Sequence, residues 1–79
     1  MAIHIGRIIE EEFYAKNSNR KTKRIVNDYT KNQSTTYTYH HNGKVSQETI
    51  KNMKTDNVIE ENIYYTDGRI NTHCSWNEQ

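Results

Sequence analysis

The groups with which this chain of 79 residues could do chemistry are four histidines, one cysteine and ten carboxylates. His40-His41 and His73-Cys74 are adjacent pairs. Neighbours on a strand point to opposite faces, so neither pair can clamp one ion. A zinc site needs about four N, S or carboxylate ligands in a tetrahedron, and no spacing here supplies them. No metal site and no cofactor are expected. Cys74 would need a base beside it and a lowered pKa to act as a nucleophile. Glu10, Glu11, Glu12, Glu60 and Glu61 could pair as acid and base, yet nothing in the pattern sets one apart from another. Three glycines form no phosphate-cradling loop. The chain reads as a non-enzyme.

Two kinds of binding chemistry remain. Arg20, Lys21, Lys23 and Arg24 form a basic cluster that could contact phosphates, with Tyr37, Tyr39 and Tyr64 stacking bases on a sheet. A formal net charge of +1 and the Glu10-Glu11-Glu12 run count against this, because non-specific nucleic-acid affinity follows positive potential. Protein recognition asks for less. A chain this small holds no deep pocket of several hundred Å³, but it can present a sheet face or edge. Tyrosine suits such a face because it is large, rigid and half polar. Tyr37, Tyr39, Tyr64, Glu60 and Arg69 are the candidate protein-binding residues. Acidic Glu10–Glu12 and Glu60-Glu61 set against basic Arg20–Arg24 would orient a partner.

The elements that must position these groups are short of large apolar residues. There is no Leu and no Pro, and the hydrophobic fraction is 32%. A single domain over 1–79 is the most this length allows, and it sits near the threshold of independent stability. One cysteine excludes an internal disulfide framework and favours a reducing compartment. No apolar run approaches the ~18 residues that span a bilayer, and the start lacks the apolar stretch of a secretory signal. A cytoplasmic location and no membrane partner are the expectation.

Ile, Val, Thr and Tyr replace the missing leucines, and they favour strands. Ile3-His4-Ile5 reads as extended chain. The following 7–16 segment has an ambiguous period, and its three consecutive glutamates point to one short N-terminal helix. The stretch 22–29, with Ile25, Val26 and Tyr29, reads as a strand. The stretch 46–54 fits either a strand or a short helix carrying Ile50 and Met53. Asn42-Gly43 and Asp67-Gly68 are hairpin signals of the two-residue type I′ kind. The hairpin over 58–76 is the most clearly written element. A two-residue Asp67-Gly68 loop pairs Thr66 with Arg69, Tyr65 with Ile70, Ile63 with Thr72 and Glu61 with Cys74. Ile59, Ile63, Tyr65, Ile70, Thr72, Cys74 and Trp76 then share an apolar face, and Glu60, Asn62, Tyr64, Arg69, Asn71, His73 and Ser75 a polar one. The same rule at Asn42-Gly43 groups Tyr37, Tyr39, Ser46, Glu48 and Ile50.

The segment from Tyr39 to Val45 aligns with that from Tyr64 to Ile70, 25 residues on. These two copies resemble the Tyr-Tyr-x-Asn/Asp-Gly-Lys/Arg-Ile/Val repeats of MORN-like proteins, a group that includes an antitoxin-like bacterial family. A repeat array needs at least three units, and the sequence displays two, so no function is carried over. The segment from Ile3 to Ile9 is similar to the opening of small helix-turn-helix proteins, but no turn and recognition helix follow it.

The sequence thus predicts an α+β domain, an antiparallel sheet of four or five strands with one N-terminal helix, or alternatively an all-β meander. Its expected role is a non-enzymatic protein-binding module, an inhibitor or accessory protein of a bacterial or phage system acting through a sheet face or edge. The expected partner is another protein or a second copy of the chain. Nucleic acid is the alternative.

Overall fold

Every segment with β-branched or aromatic character becomes a strand, and each strand pairs with the next in the chain. The computed structural model describes residues 2–5 and 7–76, with side chains from Arg7 to Trp76. Its strands are β1 Ala2–Ile5, β2 Ile8–Tyr14, β3 Lys21–Asp28, β4 Gln33–Tyr39, β5 Val45–Asn52, β6 Val58–Tyr64 and β7 Ile70–Ser75. They form one antiparallel sheet in the order β1-β2-β3-β4-β5-β6-β7. The all-β meander is therefore the architecture. Among the described residues there is no helix, hence none long and apolar enough to cross a membrane, which says nothing about strands.

The helix expected over 7–16 is a correction. That segment is β2, and its three glutamates fit a strand because alternation separates them. Glu10 and Glu12 lie on one face, where Arg24 and Lys21 of β3 pair with them. Glu11 falls on the other face and is exposed. The stretch 46–54 resolves as β5 and the turn after it, with Ile50 opposite Thr35 and Glu60.

A repeat emerges that the letters conceal. β2, β4 and β6 have seven residues each, begin at steps of 25 residues, and end on Tyr14, Tyr39 and Tyr64. Each carries a bulge at the same place, between residues 13/14, 38/39 and 63/64. Each enters a hairpin closed by the same pair of backbone hydrogen bonds. His40 N–H donates to the Lys44 carbonyl at 2.8 Å and Gly43 N–H to the His40 carbonyl at 2.9 Å. Tyr65, Arg69 and Gly68 repeat this at 2.8 and 3.0 Å, and Ala15, Arg20 and Ser18 at 2.9 and 3.2 Å. The described residues form three hairpin units preceded by one extra strand.

These turns are one residue longer than the type I′ hairpins expected. The loops are 41–43 and 66–68, with Gly43 at φ +91° and Gly68 at φ +95°. This is the three-residue hairpin whose last residue is left-handed. The added residue would shift the register, but the bulge beside the terminal tyrosine shifts it back. Ile63–Thr72 and Glu61–Cys74 pair as expected, whereas Ile70 pairs with Tyr64 rather than Tyr65. At the opposite end of the sheet, Asp28 Oδ1 accepts from Thr30 and Lys31 N–H, and Asn52 Oδ1 from Lys54 and Thr55 N–H. These side chains shape the turn by imitating a backbone carbonyl.

Among the described residues no layer covers this sheet. The molecule is a slab of 40 × 31 × 17 Å with a radius of gyration of 13.5 Å. A compact chain of this length would have about 11.6 Å. Its accessible surface is 5709 Å², against about 5,000 Å² for a globular protein of this mass. Among the described residues no apolar side chain is buried, and Asn62, at 5% exposure, is the buried one. The apolar face expected on the last hairpin is not a core: Ile70, Trp76 and Tyr65 are 55%, 49% and 47% exposed. What holds the sheet together is the backbone ladder and cross-strand side-chain pairs.

Candidate protein-binding face

Antiparallel partners share a face, so the register assigns each side chain to one side of the sheet. One row on the front face runs Glu12, Arg24, Tyr37, Glu48, Asn62, His73 across β2 to β7. The next row is Glu10, Val26, Thr35, Ile50, Glu60, Ser75. Near the hairpin turns the same face continues with the pairs Tyr14–Lys21, Tyr39–Val45 and Tyr64–Ile70. The back face is lined by Phe13, Lys23, Ile25, Thr36, Thr38, Thr49, Ile63 and Cys74.

Over β2 to β4 the front face is a set of matched charges resting on tyrosine rings. Arg24 Nε donates to Glu10, and the guanidinium lies 5.3 Å from the centre of the Tyr37 ring. Lys21 Nζ is 3.2 Å from Glu12 and 5.6 Å from the Tyr39 ring centre. Both are cation–π placements that use up the cations within the protein. Tyr14 donates its hydroxyl to Glu12 at 2.7 Å. That bond, followed by Lys21, holds the Glu12 carboxyl below its usual range, and the same bond raises the Tyr14 phenol.

A pH dependence follows. A carboxyl whose folded pKa is depressed stabilises the fold above its unfolded value, and that stability is lost as pH falls through the folded value. Acid unfolding followed by circular dichroism should therefore show stability lost below about pH 4.5, with a shallower loss in Glu12→Gln. Identical acid profiles for the two proteins would remove Glu12 from the account.

Over β5 to β7 the face changes character. Asn62 gives one amide hydrogen to Glu48 Oε1 and one to Glu60 Oε2, both at 2.9 Å. His73 Nδ1 donates to Asn62 Oδ1. Tyr64 donates its hydroxyl to Glu48 at 3.4 Å. Burial raises the phenols of Tyr37 and Tyr64, and the Glu48 charge adds to it in both. Among the described residues, the ion pairs reach neither Glu48 nor Glu60. Beside them lies an open hollow of about 440 Å³ lined by Tyr37, Gly43, Lys44, Val45, Glu48, Tyr64 and Gly68. Its rim is fixed by contacts between successive turns. Asn42 Nδ2 donates to the Thr66 carbonyl at 2.8 Å, Lys44 Nζ to the Asp67 carbonyl at 3.2 Å, and His40 Nε2 to the Tyr64 carbonyl at 2.9 Å.

Of the candidate protein-binding residues, Tyr37, Tyr39, Tyr64 and Glu60 share this face, each half-buried. Arg69 stands apart just after the 66–68 turn, bound to Asp67 at 2.6 Å and stacked 5.3 Å from the Tyr65 ring centre. Glu48 and Asn62 belong to the face although residue type alone did not single them out. The signal was positional, since Asn62 occupies in the third unit the place of Tyr37 in the second.

The basic cluster does not converge. Lys21 and Arg24 are paired on the front, Lys23 lies on the back 4.9 Å from the Phe13 ring centre, and Arg20 ends the first turn. Cys74 is half-buried on the back face opposite Glu61, while His73 points to the front. Among the described residues no three His, Cys, Asp or Glu side chains group as metal ligands. No family model matches the chain, and no curated protein or solved structure matches it.

Proposed function

We propose that this chain is a non-enzymatic protein-binding module, in an inhibitor or accessory role, that receives its partner on the front face. The observation that carries this is a one-layer sheet with no cover among the described residues, whose front carries Tyr37, Tyr39, Tyr64 and Glu60, with Tyr37, Glu48 and Tyr64 lining an open hollow. Strand spacing and rise give that face about 650 Å², near the ~800 Å² that one partner contributes to a stable complex. The surface in excess of the globular expectation is of the same order. Rings lying half-buried on a sheet are already ordered, so docking on them costs little side-chain entropy. Lys21 and Arg24 are neutralised internally, whereas Glu48 and Glu60 are not. The complementary partner is therefore one that brings a lysine or arginine to Glu48 and Glu60, on the side of the hollow away from Lys44.

Two pairs of charge-adding substitutions separate the faces. Thr35→Arg with Ile50→Lys alters the front, and Thr36→Arg with Thr49→Lys alters the back. In a quantitative pull-down from the cells of origin, the front pair should weaken capture of a stoichiometric partner at least about tenfold. The back pair should leave capture intact. Equal effects from both pairs, or no stoichiometric partner for the unaltered chain, would overturn the proposal.

A further inference from the structure

The three hairpin units provide an internal comparison for the strand at the end of the sheet. β3, β5 and β7 are equivalent: each follows the turn after Tyr14, Tyr39 or Tyr64. β3 and β5 are half-buried along their whole length, and each is flanked by the first strand of the next unit. Among the described residues β7 has no such neighbour, and it is exposed at every position except Cys74. Natural sheets protect an open edge with lysine, proline or inward charge. Ile70–Ser75 contains none of these; it begins with the exposed Ile70 and is followed by the exposed Trp76. The bulge at Asn71 is shared with the equivalent places in β3 and β5, so it is part of the unit and not a guard of the edge.

We propose that the free edge of β7 accepts an extended strand from a partner protein, continuing the sheet as β4 continues β3 and β6 continues β5. The backbone edge it uses is distinct from the hollow lined by Tyr37, Glu48 and Tyr64, so either could be occupied without the other. The two inner junctions define the incoming strand. Arg24 faces Tyr37 and Glu48 faces Asn62, so His73 faces the central residue of the added strand. Lys23 faces Thr38 and Gln47 faces Ile63, so Thr72 faces the residue after it. One place further, Tyr39 lies under Lys21 and Tyr64 walls the hollow beside Val45. An aromatic side chain at that place in the partner would cover Ile70. Strand addition of this kind draws its affinity from the backbone and its specificity from alternate side chains.

The occupant is a partner's strand in preference to a second copy. In both inner junctions the neighbour of such a strand is the first strand of a unit, and in this chain β2, β4 and β6 are already paired on both sides. Among the described residues, a second copy offers β1 and β7 at its edges.

The probe is a synthetic peptide with the chain's own 57–66 sequence, which contains β6 and therefore carries the pattern that β5 accepts. Added at about 1 mM to the full, isotope-labelled chain, it should shift the amide resonances of 70–76 and slow their hydrogen exchange. The same peptide with prolines at the Glu61 and Asn62 positions should do neither. Ile70→Lys, at an exposed position, should weaken binding about tenfold with an unchanged melting temperature. Three results would overturn the proposal: no shift at that concentration, shifts confined to Tyr37, Tyr39 and Tyr64, or concentration-dependent protection of β7 without peptide together with a dimer mass.

Discussion

Replacing Asn62 by aspartate is expected to destabilise the fold by about 3 kcal/mol at pH 7, and by much less near pH 4.5. The substitution keeps the shape and inverts the chemistry. The amide now supplies both hydrogens that separate Glu48 from Glu60. A carboxylate there would lose both bonds, each made to a charged acceptor and worth roughly 1.5–3 kcal/mol. It would also bring a third negative charge to the most buried position of the sheet. Like charges raise the folded pKa of an acid above its unfolded value. Such a group destabilises fully above its folded pKa, and the penalty fades as pH falls through that value toward the unfolded one. Urea unfolding of Asn62→Asp and the unaltered chain at the two pH values measures the difference. Asn62→Leu is the control, since it removes the amide without adding a titratable group. Equal losses at both pH values for Asn62→Asp would mean that shape, not charge, governs the site. For a domain with about 5 kcal/mol in hand, the neutral-pH loss is the largest expected from a single side chain here.

How much of this was legible in the residues depended on whether local chemistry or long-range pairing decided the outcome. The turns at Gly43 and Gly68 were legible because each needs positive φ, and glycine announces it. The register of the last hairpin was legible for a less secure reason: the longer turn and the bulge beside Tyr64 are opposite one-residue errors that cancel beyond Ile63. Where the bulge had not yet acted the expectation failed, as at Ile70, and Val45 and Ser46 exchanged faces in the same way. Val45 joins Tyr39 on the front, and Ser46 Oγ lies 2.9 Å from Thr38 Oγ1 on the back.

The 10–12 glutamates were misread because propensity speaks for a residue alone, while Glu10 and Glu12 owe their place to cations 9 to 14 residues away. The first unit was hidden for a related reason. Its turn holds positive φ with Asn17, has one more residue, and contains no glycine. Two visible copies fell short of an array, whereas three hairpins with matching bulges meet the number that repeat architectures require. The polar face of the last hairpin was legible from alternation, and Glu60, Asn62, Tyr64, His73 and Ser75 do lie together. Its continuation onto Tyr37 and Glu48 was not, because it depends on how β5 pairs with β6 across a loop with no register signal.

Valine at both Gly43 and Gly68 is expected to destabilise the chain by about 3 kcal/mol, and asparagine at the same two positions by far less. An L-residue held in the left-handed region costs about 1–2 kcal/mol, and a β-branched one sits at the upper end. Space does not enter the comparison. A Cβ at Gly43 would meet nothing within 4 Å, and at Gly68 the nearest atom is Lys44 Cδ at 3.9 Å, an ordinary contact. The cost is therefore conformational. Asn17, Asn32 and Asp56 already hold φ of 55°, 56° and 63° in this fold, which is why asparagine is the mild replacement. The two turns are joined by Asn42 to Thr66 and Lys44 to Asp67. Strain in one is thus transmitted to the other, and the double variant should lose more than the sum of the single ones. Denaturant midpoints for Gly43→Val, Gly68→Val, the double variant and the two asparagine variants measure both effects. If valine and asparagine proved equally mild, the turns would not be the left-handed three-residue kind. If the single losses simply added, the rim of the hollow would be built by each turn on its own.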